Sequence, residues 1–468
     1  MLRKAFFVLI ILTVIGLINS KTITQPAHAQ EIPVSTGTLV VSVHSPLGEP
    51  LNGLEVSYSQ VSHDFLYGYS GPVPAGGWPE APYGLSLDLQ CIPWAEIEPR
   101  AGVFPHQTEE DAPKSPKFPT VVVGSDCLFY FGEDALNDLP SDLSELSFDD
   151  LLVRVQNYLE HAVRYQSARG VSLYVVKEPG YPTANLLGLT ASQWFRLVKL
   201  ACQVIRQINP QATIVFEVIP QYLPSRGYTP YTFLDNLIRD GVTFDGIMLV
   251  FSPPLTARFT STGYPALEWI DSQVDVFTDL GKQLIIRFSG VTVIKDEESR
   301  QAWLEDIYSA LFRKQTVIGI YWDEVNRYPA KLTAVNWPVD KTKATPSSGS
   351  AETILKIIRA RTSLGEVVTD SNGQTVINAY AGIYDIHVEG IDGNTRTHIY
   401  RGEERRLDLV FPDQEATRLS VQGGSLDQTE NKEGDKTGTS TIIGLVIVGT
   451  LMLGSGLYCW YKRRLKNG

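Results

Sequence analysis

Carboxylates and aromatic rings recur at the ends of short apolar runs in this sequence. Glu178 closes Val175-Val176-Lys177-Glu178-Pro179, Glu217 closes Ile214-Val215-Phe216-Glu217, and Asp323-Glu324 follow Tyr321-Trp322. Two carboxyl groups about 5–5.5 Å apart can serve as acid and nucleophile at an acetal, and a wider pair can serve as acid and base around a water. Glu178 is the candidate acid/base, and Glu217, Asp323 and Glu324 are the candidates for the second carboxylate. Trp94, Tyr130, Lys177, Tyr181 and Trp322 stand at similar run ends. Rings stack on sugar faces while carboxylates accept from hydroxyls, so this mixture suits a substrate-binding carbohydrate cleft. Plainer readings stand beside these: Trp94 and Trp322 as core plugs, Asp323-Glu324 as an exposed loop pair. The four cysteines form no CxxC pair, which argues against structural zinc; no metal and no cofactor is expected.

Such groups need a frame. Eight short apolar runs are present: Phe65–Tyr69, Leu85–Cys91, Thr120–Phe131, Val171–Val176, Ala212–Val218, Phe244–Phe251, Gln283–Phe288 and Val317–Trp322. Their length and Val/Ile content suit strands buried on both faces of a parallel sheet. Helical spacing of apolar residues lies between them, at Leu151–Arg169, Ala191–Ile208, Phe233–Ile238, Leu267–Leu280 and Ala302–Phe312. The alternation predicts an α/β chain closed as a (β/α)8 TIM barrel over residues 63–345, with its chemistry at the carboxyl ends of the strands. Glu96–Pro119 is rich in proline and charge and lacks a helical period, so one helix of the eight is expected to be missing. No GxGxxG follows the first run, which disfavours an open dinucleotide-binding sheet. Cys91 and Cys127 fall on neighbouring strands, where a bridge or two free thiols both stay open. Cys202, on the apolar face of a helix, reads as a buried thiol.

The two ends set an expected address. Residues 1–29 carry Arg3 and Lys4, an apolar stretch and Ala27-His28-Ala29, the form of a secretory signal peptide. Residues 441–460 hold no charge and are followed by Lys462-Arg463-Arg464 in a tail over 461–468. That predicts a single membrane-spanning helix with a cytoplasmic tail and everything upstream outside the cell. Residues 413–440 read as a flexible stalk. With 40 Lys+Arg against 52 Asp+Glu and a net charge of −12, no basic stripe exists for nucleic acid.

Residues 37–62 hold two alternating strands around a Gly/Pro turn, and 350–412 hold Thr369-Asp370-Ser371-Asn372-Gly373 and Gly382-Ile383-Tyr384-Asp385-Ile386-His387-Val388. Together they resemble a prealbumin-like β-sandwich of the carboxypeptidase-regulatory type. The two parts are expected to form one split sandwich with the barrel inserted between them.

The order of the barrel segments resembles glycoside hydrolase family 10, the xylanase-type barrels. His63-Asp64-Phe65-Leu66-Tyr67-Gly68 is similar to the family's first strand, and Trp94 with Ile97-Glu98-Pro99-Arg100-Ala101-Gly102 to its W-x-x-I-E-P-x-x-G segment. Val175–Pro179 is similar to V-x-N-E-P, which implies Glu178 as acid/base. Where the family carries its nucleophile, this chain has Arg287, a group that never deprotonates in a protein. Lys177, Ser125 and Val250 replace other residues of the family pattern. The resemblance therefore implies the fold, while the residues argue against double displacement. Three functions follow as expectations. The first is a cell-surface barrel that binds β-linked polysaccharide with its nucleophile lost. The second is an active, inverting hydrolase using Glu178 and a non-standard second carboxylate. The third is a structural surface protein.

Overall fold

A computed structural model describes residues 35–71, 76–90, 94–105, 122–125, 140–168, 170–177, 187–220, 229–251, 266–289, 296–323 and 349–411. The expected signal peptide, stalk, membrane segment and tail lie outside the described residues. So do Cys91, Cys127, Tyr130, Glu178, Tyr181 and Glu324. Among the described residues, no helix is long and apolar enough to cross a membrane.

The chain begins with strands β1 (Thr36–His44) and β2 (Glu55–His63), then enters a barrel. The barrel strands are β3 (Leu66–Ser70), β4 (Leu87–Gln90), β5 (Val122–Ser125), β6 (Leu173–Lys177), β7 (Thr213–Val218), β8 (Gly246–Phe251), β9 (Gln283–Ser289) and β10 (Val317–Asp323). Each pairs in parallel with the next, and β10 returns to β3 and closes the ring. Parallel neighbours need a crossover, and helices supply most of them. They are α1 (Trp94–Ile97), α2 (Phe148–Ala168), α3 (Ala191–Ile208), α4 (Pro230–Arg239), α5 (Leu267–Thr278) and α6 (Glu297–Leu311), and a further helix, α7 (Gly349–Ala360), follows β10. Between β4 and β5 the described residues contain only the four-residue α1.

Local chemistry sets several helix starts. Thr190 and Gln193 form a reciprocal capping box at α3, and Thr229 caps α4 ahead of Pro230. Asp296 accepts from the Ser299 N–H at α6. Each such cap satisfies donors the helix itself leaves open, worth roughly 1 kcal/mol.

Side chains alternate across the barrel wall. Leu87, Leu173, Val175, Val215, Met248, Ile285 and Tyr321 fill the interior. Ile214, Phe216, Ile247, Leu249, Leu284 and Ile286 face outward into the layer beneath the helices. A side chain at Gly68 would place its Cβ 2.2 Å from the Tyr321 ring, so glycine on β3 leaves that ring its room.

α7 corrects the boundary expected at residue 350. Its Ala351, Ile354, Ile357 and Ile358 are buried in the barrel's outer core, and Arg300 of α6 donates to Ser350 at 3.1 Å. Residues 350–360 thus belong to the helix layer, because their apolar spacing fits one helical face.

The chain then returns to β11 (Leu364–Val368), β12 (Gln374–Tyr380), β13 (Gly382–Val388), β14 (Thr395–Ile399) and β15 (Glu404–Val410). β1 pairs antiparallel with β12 and parallel with β15, while β2 lies between β11 and β13, with β14 beyond β13. Leu39, Val41, Val43 and Val56 share one core with Ile377, Tyr384, Ile386, Val388 and Ile399. Two strands alone are marginal in water. Each large apolar side chain buried here contributes about 1.5–3 kcal/mol, and neither segment could bury its face without the other.

Candidate functional site

At the carboxyl end of the barrel the inward-facing row changes from apolar to charged. On β7 the row runs from Val215 to Glu217, and on β9 from Ile285 to Arg287 and Ser289. On β10 it runs from Tyr321 to Asp323. Arg287 Nη1 donates to Glu217 Oε2 at 2.8 Å, and Nη2 donates to Asp323 Oδ2 at 2.9 Å. All three side chains are at most 2% exposed. The guanidinium also lies 5.6 Å from the Tyr321 ring centre. Charges taken this far from water persist only when paired and hydrogen-bonded. A planar fork of donors suits two carboxylates at once.

The register of β10 is what delivers Asp323. Strict alternation from Val317, which faces the helices, would turn Trp322 into the barrel and Asp323 out of it. The pairing of β10 with β9 shifts between Val317 and Gly319. Beyond this irregularity Ile320 and Trp322 face the helix layer, and Tyr321 faces the interior. An irregularity of this kind re-aims every side chain that follows it.

Trp322 is therefore corrected from sugar platform to core residue. It is fully buried, with its ring centre 5.7 Å from Phe288 and 5.5 Å from Trp303. Trp94 is corrected likewise. It stacks on Tyr158 at 3.9 Å, and its indole N–H donates to Glu98 Oε2 at 2.7 Å. Glu98, which sequence reasoning quoted but gave no role, also accepts from the Gly102 N–H at 2.7 Å and from Arg154 Nε at 3.1 Å. The carboxylate thus binds α1, the turn after it and α2 together. Its signal in the sequence was its spacing of four residues from both Trp94 and Gly102.

Of the sequence-predicted site residues, the structure brings Glu217, Asp323 and Arg287 into one cluster. Lys177 closes β6, the strand that leads to Glu178. Val250 lies buried on β8 directly across from Arg287. Ser289 is buried beside the cluster, and its hydroxyl has no hydrogen-bond partner among the described residues. Among the described residues no group of three or more His, Cys, Asp or Glu side chains is placed to hold a metal ion. Cys202 is a free buried thiol, and burial pushes its pKa up to about 12.

What the cluster can do follows from its parts. A guanidinium that stays protonated cannot attack a sugar carbon. Two carboxylates that already accept from it are held as acceptors.

No family model and no curated protein matches this chain. Among solved structures it is similar to native xylanase 10B from Thermotoga maritima, with 16% identity, a TM-score of 0.41, and 64% of this chain and 97% of that one covered. It is also similar to a family 10 glycoside hydrolase xylanase from Thermobacillus composti, with 14% identity, a TM-score of 0.40, and 63% and 96% covered. A glucosidase from Croceicoccus marinus matches with 12% identity, a TM-score of 0.40, and 78% and 84% covered. Similarity at this level assigns no activity, and the closed parallel barrel stands on its own strand order.

Proposed function

We propose that this chain is a membrane-anchored, extracellular barrel of glycoside-hydrolase type that binds β-linked polysaccharide and has lost double-displacement hydrolysis. The observation that carries the reading is Arg287. It occupies the β9 position where the family 10 resemblance expects the nucleophile, and it holds Glu217 and Asp323 at 2.8 and 2.9 Å. A retaining enzyme needs a carboxylate there, about 5–5.5 Å from its acid. The same two contacts weigh against an inverting mechanism that would draft Glu217 or Asp323 to activate water. The polysaccharide class rests on the order of the motifs from His63 to Ile286, and the address on the apolar segment 441–460 with its basic tail. The two sheets that enclose one core support a split sandwich interrupted by the barrel.

The test is a panel of insoluble β-linked polysaccharides, xylan and cellulose among them, incubated with residues 30–440. Retention on at least one glycan without release of reducing ends is the expected result. Release of reducing ends, or a covalent sugar adduct with a fluoro-sugar trap, overturns the loss of catalysis. Retention on none overturns the binding role and leaves the structural reading. Deleting residues 441–468 should move the protein from the membrane pellet to the medium, and continued pelleting would refute the anchor.

A further inference from the structure

The chain leaves the sheet pair for the barrel at His63 and comes back at Leu364, and the two passages are neighbours: Leu364 pairs with Ser59. Gln60 sits between them, 4% exposed. Its Oε1 accepts from the Ser363 backbone N–H at 3.0 Å. Its Nε2, with two hydrogens to share, faces the carbonyls of Ser62 and Ala381, both at 3.3 Å, and His63 Nδ1 at 3.1 Å. A backbone N–H can only donate, so Ser363 fixes which end of the amide is oxygen. The amino group therefore faces His63, and only a bare Nδ1 can accept from it. The ring proton then sits on Nε2, 3.1 Å from Thr362 Oγ1. That hydroxyl donates to the Ile358 carbonyl at 2.9 Å and so is free to accept from the ring. One neutral tautomer thus ties the outgoing strand to residues 362–363 of the returning chain.

We propose that His63 is a proton-operated latch at this joint: a second ring proton, at Nδ1, sets donor against donor and opens the tie between the outgoing and returning chain. Turning the Gln60 amide over gives no escape, since its amino group would then oppose the Ser363 N–H. Swinging the ring away gives up Thr362. Either movement loosens the joint.

The surroundings do not favour the charged ring. Asp64 is next in sequence, but its carboxylate accepts from His398 at 2.8 Å. Arg361, at the end of α7, lies over Phe312, and Arg401 is held by the carbonyls of Phe312, Lys314, Gln315 and Val317. Tyr67 meets the imidazole edge-on at 5.3 Å, with Tyr308 stacked on Tyr67. Tyr380, from β12, shares the adjoining cleft. No carboxylate among the described residues lies within ion-pair distance of the imidazole. Burial lowers the His63 pKa from 6.5 to about 4, and the Pro82 carbonyl offsets this only in part. A cleft of about 370 Å³, lined also by Asp64, Phe65 and Arg401, reaches the ring and gives protons a path.

The sign follows from linkage. The folded pKa is depressed, so the opened joint binds more protons than the closed one between pH 6.5 and 4. The latch is fully held above pH 6.5 and is lost as the pH falls toward 4. At pH 4 the closed-to-open ratio should be down by about 100-fold.

The test is amide hydrogen exchange on the full chain, read as protection factors corrected for the pH dependence of free amides. Peptides covering 58–64, 359–366 and 378–384 should lose about 100-fold in protection between pH 7 and pH 4, while α3 holds its own. His63→Gln should flatten this dependence. Should that variant misfold, Gln60→Glu serves instead: its carboxylate accepts from both the Ser363 N–H and a protonated Nδ1, so the acid loss should shrink at least tenfold. Unchanged protection at the joint in the parent overturns the latch. So does an acid loss that is equal in α3, or one that persists in full in the variant that folds.

Discussion

Replacing Arg287 by methionine leaves two buried carboxylates facing the same space without their shared donor. Glu217 and Asp323 are each 1% exposed, so water cannot take over the contacts made at 2.8 and 2.9 Å. Removing one partner of a buried pair costs about 3–5 kcal/mol, most of it from the charge left behind. Here one deletion takes the shared donor from two buried carboxylates, which places Arg287→Met near 5 kcal/mol. Replacing all three residues, as Glu217→Leu, Arg287→Met and Asp323→Leu, removes the buried charges together, and should fall within about 2 kcal/mol of the parent. Urea unfolding at pH 7, followed by tryptophan emission, measures both, and Trp322 in the adjoining outer layer makes emission sensitive to this end of the barrel. The reasoning fails if the single variant lies within about 1 kcal/mol of the parent, or if the triple variant is as unstable as the single one.

Other expectations can be checked with the same material. Trp94→Ala should cost about 3–5 kcal/mol in urea unfolding, while glycan retention per folded molecule stays unchanged; a selective loss of retention would restore Trp94 as a sugar platform. Glu98→Gln should cost about 2–3 kcal/mol, because Arg154 keeps its charge and loses its buried carboxylate partner, retaining Asp142 at 3.6 Å, and hydrogen exchange at the Gly102 amide should rise. Gly68→Ala should cost about 1–3 kcal/mol by overpacking, and a double-mutant cycle with Tyr321→Ala should show coupling, since the new Cβ meets that ring at 2.2 Å. Cys202 should react with a thiol reagent at pH 8 only upon unfolding, since burial pushes its pKa up to about 12; immediate labelling of the folded chain at this residue would contradict the burial.

The barrel strands were legible because strands buried on both faces leave continuous apolar runs, and α3 because its apolar residues recur at helical spacing. α7 was hidden for a different reason: its run Ile354-Leu355-Lys356-Ile357-Ile358 follows directly on a polar stretch, and composition placed it with the strands beyond. The site was legible in its residue types and illegible in its pairing. Glu217 and Arg287 are 70 residues apart, and Arg287 and Asp323 are 36 apart. Their meeting depends on barrel closure and on the register shift near Gly319. No local pattern reports that shift, and without it the aromatic and acidic residues at the end of β10 would exchange faces. That is why Trp322 read as a platform.

The way the sheet pair meets the barrel bears on which end of the barrel can work. Arg401, just past β14, donates to carbonyls at the end of α6 and at the start of β10. A cation there satisfies acceptors that the helix leaves open and complements its dipole. Ser35, ahead of β1, donates to the Phe312 carbonyl as well, and Phe312 packs against Tyr380 at 5.6 Å. Gln283, the first residue of β9, lines the same cleft as His63 and Arg401. All these contacts lie at the amino ends of β9 and β10, whereas Arg287, Ser289 and Asp323 lie at the carboxyl ends of those same strands. The sheet pair thus grips the barrel at its foot, at the end opposite the charged cluster. A long excursion between neighbouring strands costs the host little extra closure entropy, since that cost grows only with the logarithm of length. What the joint must supply is alignment of the outgoing and returning chain, and the Gln60–His63–Thr362 contacts supply it at the end of the barrel opposite Arg287.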